Sequence, residues 1–186
     1  RSVCKKEANL MKKFVPALSI VLFPYAVAFV LYGIFSGFLM ENIFQNNIYF
    51  CLFILLIIWL VALICAVSTC AVSLMRKWDF VELCRVNMLI KTISIPAYLF
   101  TFIFGTVCML TIFTFAISVI LMVLDAMAIV LSGLIGISAV IRSCDNKAIS
   151  ARETFFYGIL QFVFCADVIT SIIVFRKSKK KVKVNV

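Results

Sequence analysis

The sequence predicts an all-α, polytopic transmembrane helix bundle of five hydrophobic helices, and three observations carry that expectation. Hydrophobic residues make up 65% of the 186-residue chain and charged residues 14%, against roughly 45–50% and 25% in soluble domains. The mean hydropathy is +1.19. The apolar residues gather into runs long enough to cross a bilayer, with Lys and Arg collected at the run ends. Together these exclude a disordered chain, a disulfide-knot miniprotein and a water-soluble globule.

Residues 1–13 are a basic N-terminal segment. Met11-Lys12-Lys13 before an apolar run has the form of a translation start, so residues 1–10 read as an upstream extension or a fragment edge. The first span is expected at Phe14 to Met40, 27 residues and about 40 Å as helix, with Pro16 and Pro24 predicting a kink. Ala26-Val27-Ala28 has the form of a signal-peptidase site, but the apolar run continues past it, which favours an uncleaved span. After the short segment Glu41 to Asn47, which lacks Lys and Arg, Ile48 to Met75 forms a second run without Pro or Gly.

Arg76 to Lys91 mixes both charges and shows no clean apolar stripe; Trp78 there is expected at the headgroup level. Ile93 to Ile141 is 49 residues with one charge, Asp125. As one straight helix it would reach about 73 Å, more than twice a hydrocarbon core of roughly 30 Å, so it must turn back. The polar loop Arg142 to Arg152 follows, with Ser150 and Glu153 in the S-x-x-E form of a capping box. Thr154 to Phe175 is the last run. The resulting organisation is a basic segment 1–13, one transmembrane domain 14–175 with spans near 14–40, 48–75, 93–116, 117–141 and 154–175, and a basic tail 176–186.

Two topologies compete. A turn near Thr111–Ser118 makes two full spans of the long run and five in all; with the N-terminus inside, 12 Lys and Arg then lie inside and 6 outside. The alternative is four crossings plus a re-entrant segment after Asp125, which puts 15 inside and 3 outside. Charge favours four crossings by the positive-inside rule. Length favours five, because Asp125 has no Gly or Pro nearby to turn the chain and re-entrant backbone must be shielded from lipid.

Helices in lipid associate through small residues. Gly33 and Gly37 form a G-x-x-x-G in the first span, Ala62, Cys65, Ala66, Thr69 and Ser73 share a face of the second, and Ala128, Ser132, Gly136 and Ala139 form a stripe on the fourth. These read as packing within the chain, with a homo-oligomer seam through Gly33 and Gly37 as the other reading.

Asp125 and Asp167 are the residues with chemical promise, because a carboxylate within an apolar run is expensive. Asp125 shares the face of Ala128 and Ser132. No Lys or Arg occurs from Thr92 to Ile141 or from Thr154 to Phe175, so neither acid is expected to find a cation inside a span. With five spans the two carboxylates fall at similar depth on antiparallel neighbours. There they would share a proton, bind a small cation or relay protons, with Gln161 and Tyr157 adding a polar face. The bland alternative has each acid bonded to nearby hydroxyls, Thr170 or Ser171 for Asp167.

Other chemistry is thinly represented. The chain has no His, which removes His-based triads and His-ligated metals. Its eight Cys include no C-x-x-C pair; those in the apolar runs read as small packing residues. No catalytic residue, cofactor or metal site is expected. The +10 net charge, densest at Arg176, Lys177, Lys179, Lys180, Lys181 and Lys183, points to anionic lipid headgroups rather than nucleic acid.

Asn87-Met88-Leu89-Ile90-Lys91, Ile95-Pro96-Ala97-Tyr98, Leu131-Ser132-Gly133-Leu134-Ile135-Gly136, Gly158-Ile159-Leu160-Gln161-Phe162 and Phe164-Cys165-Ala166-Asp167-Val168 carry a resemblance. Over about Met11 to Lys177 the chain resembles a family of small integral membrane proteins of low-GC Gram-positive bacteria, known only as a domain of unknown function. The resemblance implies a multi-pass protein of the bacterial cytoplasmic membrane and no activity. The expected function is a structural or accessory component of a membrane assembly, or else a small transporter subunit or ion-handling protein using Asp125 and Asp167.

Overall fold

A computed structural model describes residues 2–37, 41–42, 47–110 and 112–184. The expected end of the first run at Met40, most of the Glu41–Asn47 segment, Thr111 and the last two residues lie outside the described residues, as do the side chains of 1–16. Among the described residues the chain is all helical: α1 (Ser2–Ser36), α2 (Ile48–Met75), α3 (Phe80–Met109), a 3-10 turn (Ile112–Thr114), α4 (Phe115–Asp145), α5 (Ala151–Leu160) and α6 (Ala166–Val184).

Four of these, α1 to α4, are long and apolar enough to cross a membrane. The surface is inside-out relative to a soluble protein. Ile112, Tyr49 and Leu110 are more than four-fifths exposed, while Lys91, Ser73, Ser138, Ser143 and Gln161 are fully buried. So much exposed apolar surface has no place in water, and lipid contact accounts for it.

Local chemistry sets the ends. Asn47 caps α2 by accepting from the amides of Tyr49 and Phe50, and Asp79 caps α3 by accepting from that of Glu82. The long apolar run does turn back, at 110–114, between α3 and α4. Ser150 and Glu153 form the expected reciprocal capping box at the start of α5.

Three differences follow from packing. First, the helix of the span expected near 93–116 begins at Phe80, so most of the mixed-charge segment belongs to α3. Its buried face carries Cys84, Asn87, Lys91, Ser94, Tyr98 and Thr101, a three-four spacing hidden from an apolar search because half the stripe is polar. Second, helix runs through the expected segment boundaries at 13/14 and 175/176. Third, the expected fifth span is broken: α5 has 10 residues, about 15 Å, and residues 161–165 separate it from α6.

Because of that break, α5 and α6 form a hairpin. Lys177 near the end of α6 pairs with Glu153 at the start of α5, and Ser178 meets Ser143 of α4 and Cys84 of α3. Both ends of the hairpin therefore sit beside the α2–α3 and α4–α5 connections, where Arg142 donates to the Trp78 carbonyl. The tip inserts part-way along the bundle, with Gln161 against Gly136 and Phe162 against Gly133 of α4. Thus the long run makes two helices and α4 passes unbroken through Asp125; the chain doubles back instead between α5 and α6.

The α3 helix is the hub, touching α1, α4 and α6, while α2 packs on α1 and α4. Pro96 within α3 cannot donate a backbone hydrogen bond, and beside it the Tyr25 hydroxyl of α1 donates to the Ile93 carbonyl at 2.7 Å.

Candidate functional site

The bundle interior holds a polar cluster where the hairpin tip meets α3. Leaving the helix after Leu160 frees the Gln161 carbonyl, and starting α6 at Ala166 places Asp167 in its first turn. The Lys91 ammonium lies between these two helix ends. Its Nζ donates to Asp167 Oδ2 at 3.0 Å and to the Gln161 carbonyl oxygen at 3.3 Å. A cation at the C-terminal end of α5 and an anion at the N-terminal end of α6 both complement the helix dipoles.

Around the pair, polar groups are chained. Asp167 Oδ1 accepts from the Val168 amide at 2.8 Å. Asn87 Nδ2 donates to Ser171 Oγ at 2.9 Å, and Ser171 Oγ in turn lies 3.2 Å from Gln161 Oε1 and 2.7 Å from the Asp167 carbonyl. Gln161 Nε2 donates to Thr170 Oγ1 at 3.3 Å. Thr170 and Ser171 thus bond the backbone of Asp167, and the carboxylate goes to Lys91. The cation partner lay one residue outside the apolar window beginning at Thr92, on the polar stripe of α3.

The two aspartates do not form a joint site. No hydrogen bond links their carboxylates; they line separate clefts that share Phe102, Ile129 and Phe164 as a common wall. Asp125 is half-buried and makes no hydrogen bond or ion pair among the described residues.

Tyr157 and Gln161, expected to share one polar face, serve different contacts. Gln161 belongs to the buried cluster. The Tyr157 hydroxyl accepts from Lys177 Nζ at 3.3 Å, and the ammonium lies 5.4 Å from the ring centroid. At this open end of the hairpin Lys177 also pairs with Glu153. The hydrogen bond from Lys177, with the Ser150 amide, holds the Glu153 carboxyl below its ordinary range, and Glu153, with Tyr157, holds the Lys177 ammonium above its own.

The small residues divide likewise. Ser132 and Gly136 are buried on α4, and a Cβ at Gly136 would stand 2.1 Å from Gln161 Oε1, so a glycine is what lets the tip approach. Gly33 is buried on α1. Gly37 follows the end of α1 with φ 65°, and a Cβ there would meet nothing within 4 Å.

No family model, curated protein or solved structure matches the chain. Function must therefore be argued from the site. An ion pair this enclosed, with the ammonium also bonded to the Gln161 carbonyl and the carboxylate to the Val168 amide, fixes a helix break in place. It offers no open coordination position, and no group of three or more His, Cys, Asp or Glu able to hold a metal occurs among the described residues.

Proposed function

We propose that this chain is a structural or accessory component of a membrane assembly, without a catalytic centre of its own. In this reading it has four crossings and a re-entrant C-terminal hairpin. The observation that carries it is the Lys91–Asp167 pair, whose charges are closed on each other and on the hairpin backbone. Polar groups arranged for ion passage line water-accessible cavities; the Lys91 and Asp167 side chains are buried and bonded to each other.

Orientation follows from charge. The N-terminal segment, the α2–α3 and α4–α5 connections and the end of α6 fall at one end of the bundle, and every Lys and Arg of the described residues lies in or beside them, Lys91 deepest. The sequences that join α1 to α2 and α3 to α4 contain no Lys or Arg. The positive-inside rule then places the basic end in the cytoplasm, with the tail over anionic headgroups. The resemblance noted above makes a bacterial cytoplasmic membrane the natural setting.

Two measurements test this. Paired reporters fused after Val186, one active only inside and one only outside, are expected to report inside; an outside result removes the re-entrant hairpin. Extraction from native membranes in mild detergent, followed by native electrophoresis, is expected to show the chain in a complex heavier than a 21.0 kDa protomer in its micelle. Migration as a lone protomer under every mild condition overturns the accessory role.

A further inference from the structure

Asp125 faces a cleft of about 500 Å³ between α3 and α4, running toward the 110–114 turn and floored by Phe164 at the hairpin tip. That volume lies within the roughly 300–1,000 Å³ range of small-molecule pockets. The walls are apolar and aromatic, with Phe102, Phe115 and Phe164 contributing rings. The hydroxyls on the walls are already committed. Thr101 donates to the Ala97 carbonyl at 2.9 Å, Thr106 to that of Phe102 at 2.8 Å and Ser118 to that of Gly105 at 2.9 Å. No Lys or Arg lies on α4 before Arg142, and Lys91 of α3 is held by Asp167. The cleft thus contrasts with its neighbour, where the carboxylate has its own ammonium.

We propose that this cleft binds a small organic cation with an apolar, aromatic or alkyl body, entering from the bilayer, with Asp125 as its counter-ion. A carboxylate lacking both donor and cation in an apolar setting is costly, and an incoming cation supplies the missing partner. Aromatic faces add cation–π attraction, and the apolar walls take the body of the ligand. A lipid acyl chain would use the walls and leave the carboxylate as it was. This assignment is independent of the accessory role; it rests on the hairpin through Phe164, which floors the cleft.

Tetraphenylphosphonium is the probe. The full chain is placed in nanodiscs of zwitterionic lipid, and binding is measured by equilibrium dialysis at fixed ionic strength. Saturable binding is expected that neutral triphenylphosphine oxide does not displace. Asp125→Asn is expected to weaken it at least tenfold, while Asp125→Glu keeps it. Gly105→Leu is the second variant. A Cβ at Gly105 meets Leu121 and Ser118 only at 3.8 Å, so the helix tolerates it, yet the added side chain fills the cleft with the charge intact. It too is expected to lose binding. If Asp125→Asn does not elute as the native protein does, the Glu and Leu variants decide. Undiminished binding in Gly105→Leu, displacement by the neutral analogue, or no saturable binding to the native chain overturns the proposal.

Discussion

Lys91 of α3 and Asp167 of α6, seventy-six residues apart in the chain, meet at 3.0 Å with both side chains buried. Their contact explains a break in an apolar stretch, Gln161 to Cys165, that contains neither Gly nor Pro. A helix broken inside a buried bundle must satisfy its free carbonyls and amides from within the protein. Here Lys91 takes the Gln161 carbonyl, Asp167 accepts from the Val168 amide, and Cys165 adopts φ 64° to turn the chain.

Removing one partner leaves the other charge buried without compensation. Lys91→Met and Asp167→Asn are each expected to lower stability by about 3–5 kcal/mol, the cost typical of breaking a buried pair. The double variant Lys91→Met with Asp167→Leu should recover much of that loss. Thermal unfolding in detergent, followed through Trp59 and Trp78, measures all three. Single variants as stable as the native chain would mean the pair does not hold the hairpin.

Gly136 and Gly158 should respond in opposite directions to the same methyl group. At Gly136 a Cβ would come within 2.1 Å of Gln161 Oε1 and 2.6 Å of its Cδ, so Gly136→Ala must push the hairpin tip off α4, costing about 1–3 kcal/mol. At Gly158, inside α5, nothing lies within 4 Å; Gly158→Ala should be neutral or gain up to about 1 kcal/mol from reduced chain entropy. The same unfolding assay separates them, and equal effects would show that the tip does not seat against Gly136.

The fold class was legible because run length and hydropathy are direct consequences of a bilayer. So were the turn of the long run and the Ser150–Glu153 cap, which rest on length and local bonding. The hairpin was not. Thr154 to Phe175 reads as a continuous span, and its break depends on Lys91, distant in sequence and at the end of the mixed-charge segment before the third run. Nor was α3's start: Asn87, Lys91 and Ser94 occupy buried positions where periodicity analysis looks for Leu or Val. The polar residues of the bundle mark its interior, so a stripe of them at three-four spacing was the available signal.

The Glu153–Lys177 contact gives the open end of the hairpin a pH dependence. Glu153 is held below its ordinary range, so its contribution is complete above the unfolded carboxyl value, near pH 4–5, and is lost as pH falls through the folded value. Lys177 is held above its ordinary range, so its contribution is complete below about pH 10 and lost as pH rises through the folded value. Both side chains are more than a third exposed, which limits the pair to under about 1 kcal/mol. Glu153→Gln keeps a capping residue at that position but should flatten the acid limb of the stability profile. Glu153→Ala should also lose the reciprocal half of the capping box, the bond from the Ser150 amide, while Ser150 still caps the residue-153 amide; it should fall further than Glu153→Gln. An unchanged acid limb in the Gln variant would remove Glu153 as its source.

Asn87 tests whether the buried cluster acts as a network or as a pair with neighbours. Its Nδ2 donates to Ser171, but its Oδ1 is buried and has no hydrogen-bond partner. An orphaned acceptor forgoes the gain that makes a buried amide worth its desolvation. Replacing it with Leu removes one bond and one unsatisfied atom together, and Ser171 still has the Asp167 carbonyl, at 2.7 Å, for its proton. Asn87→Leu is therefore expected to stay within about 1 kcal/mol of the native chain, far from the loss at Lys91 one turn later. Unfolding of the two variants side by side decides the matter. A loss at Asn87 as large as that at Lys91 would mean that Ser171, Gln161 and Asn87 position the ion pair, and that the hairpin depends on the whole chain of bonds.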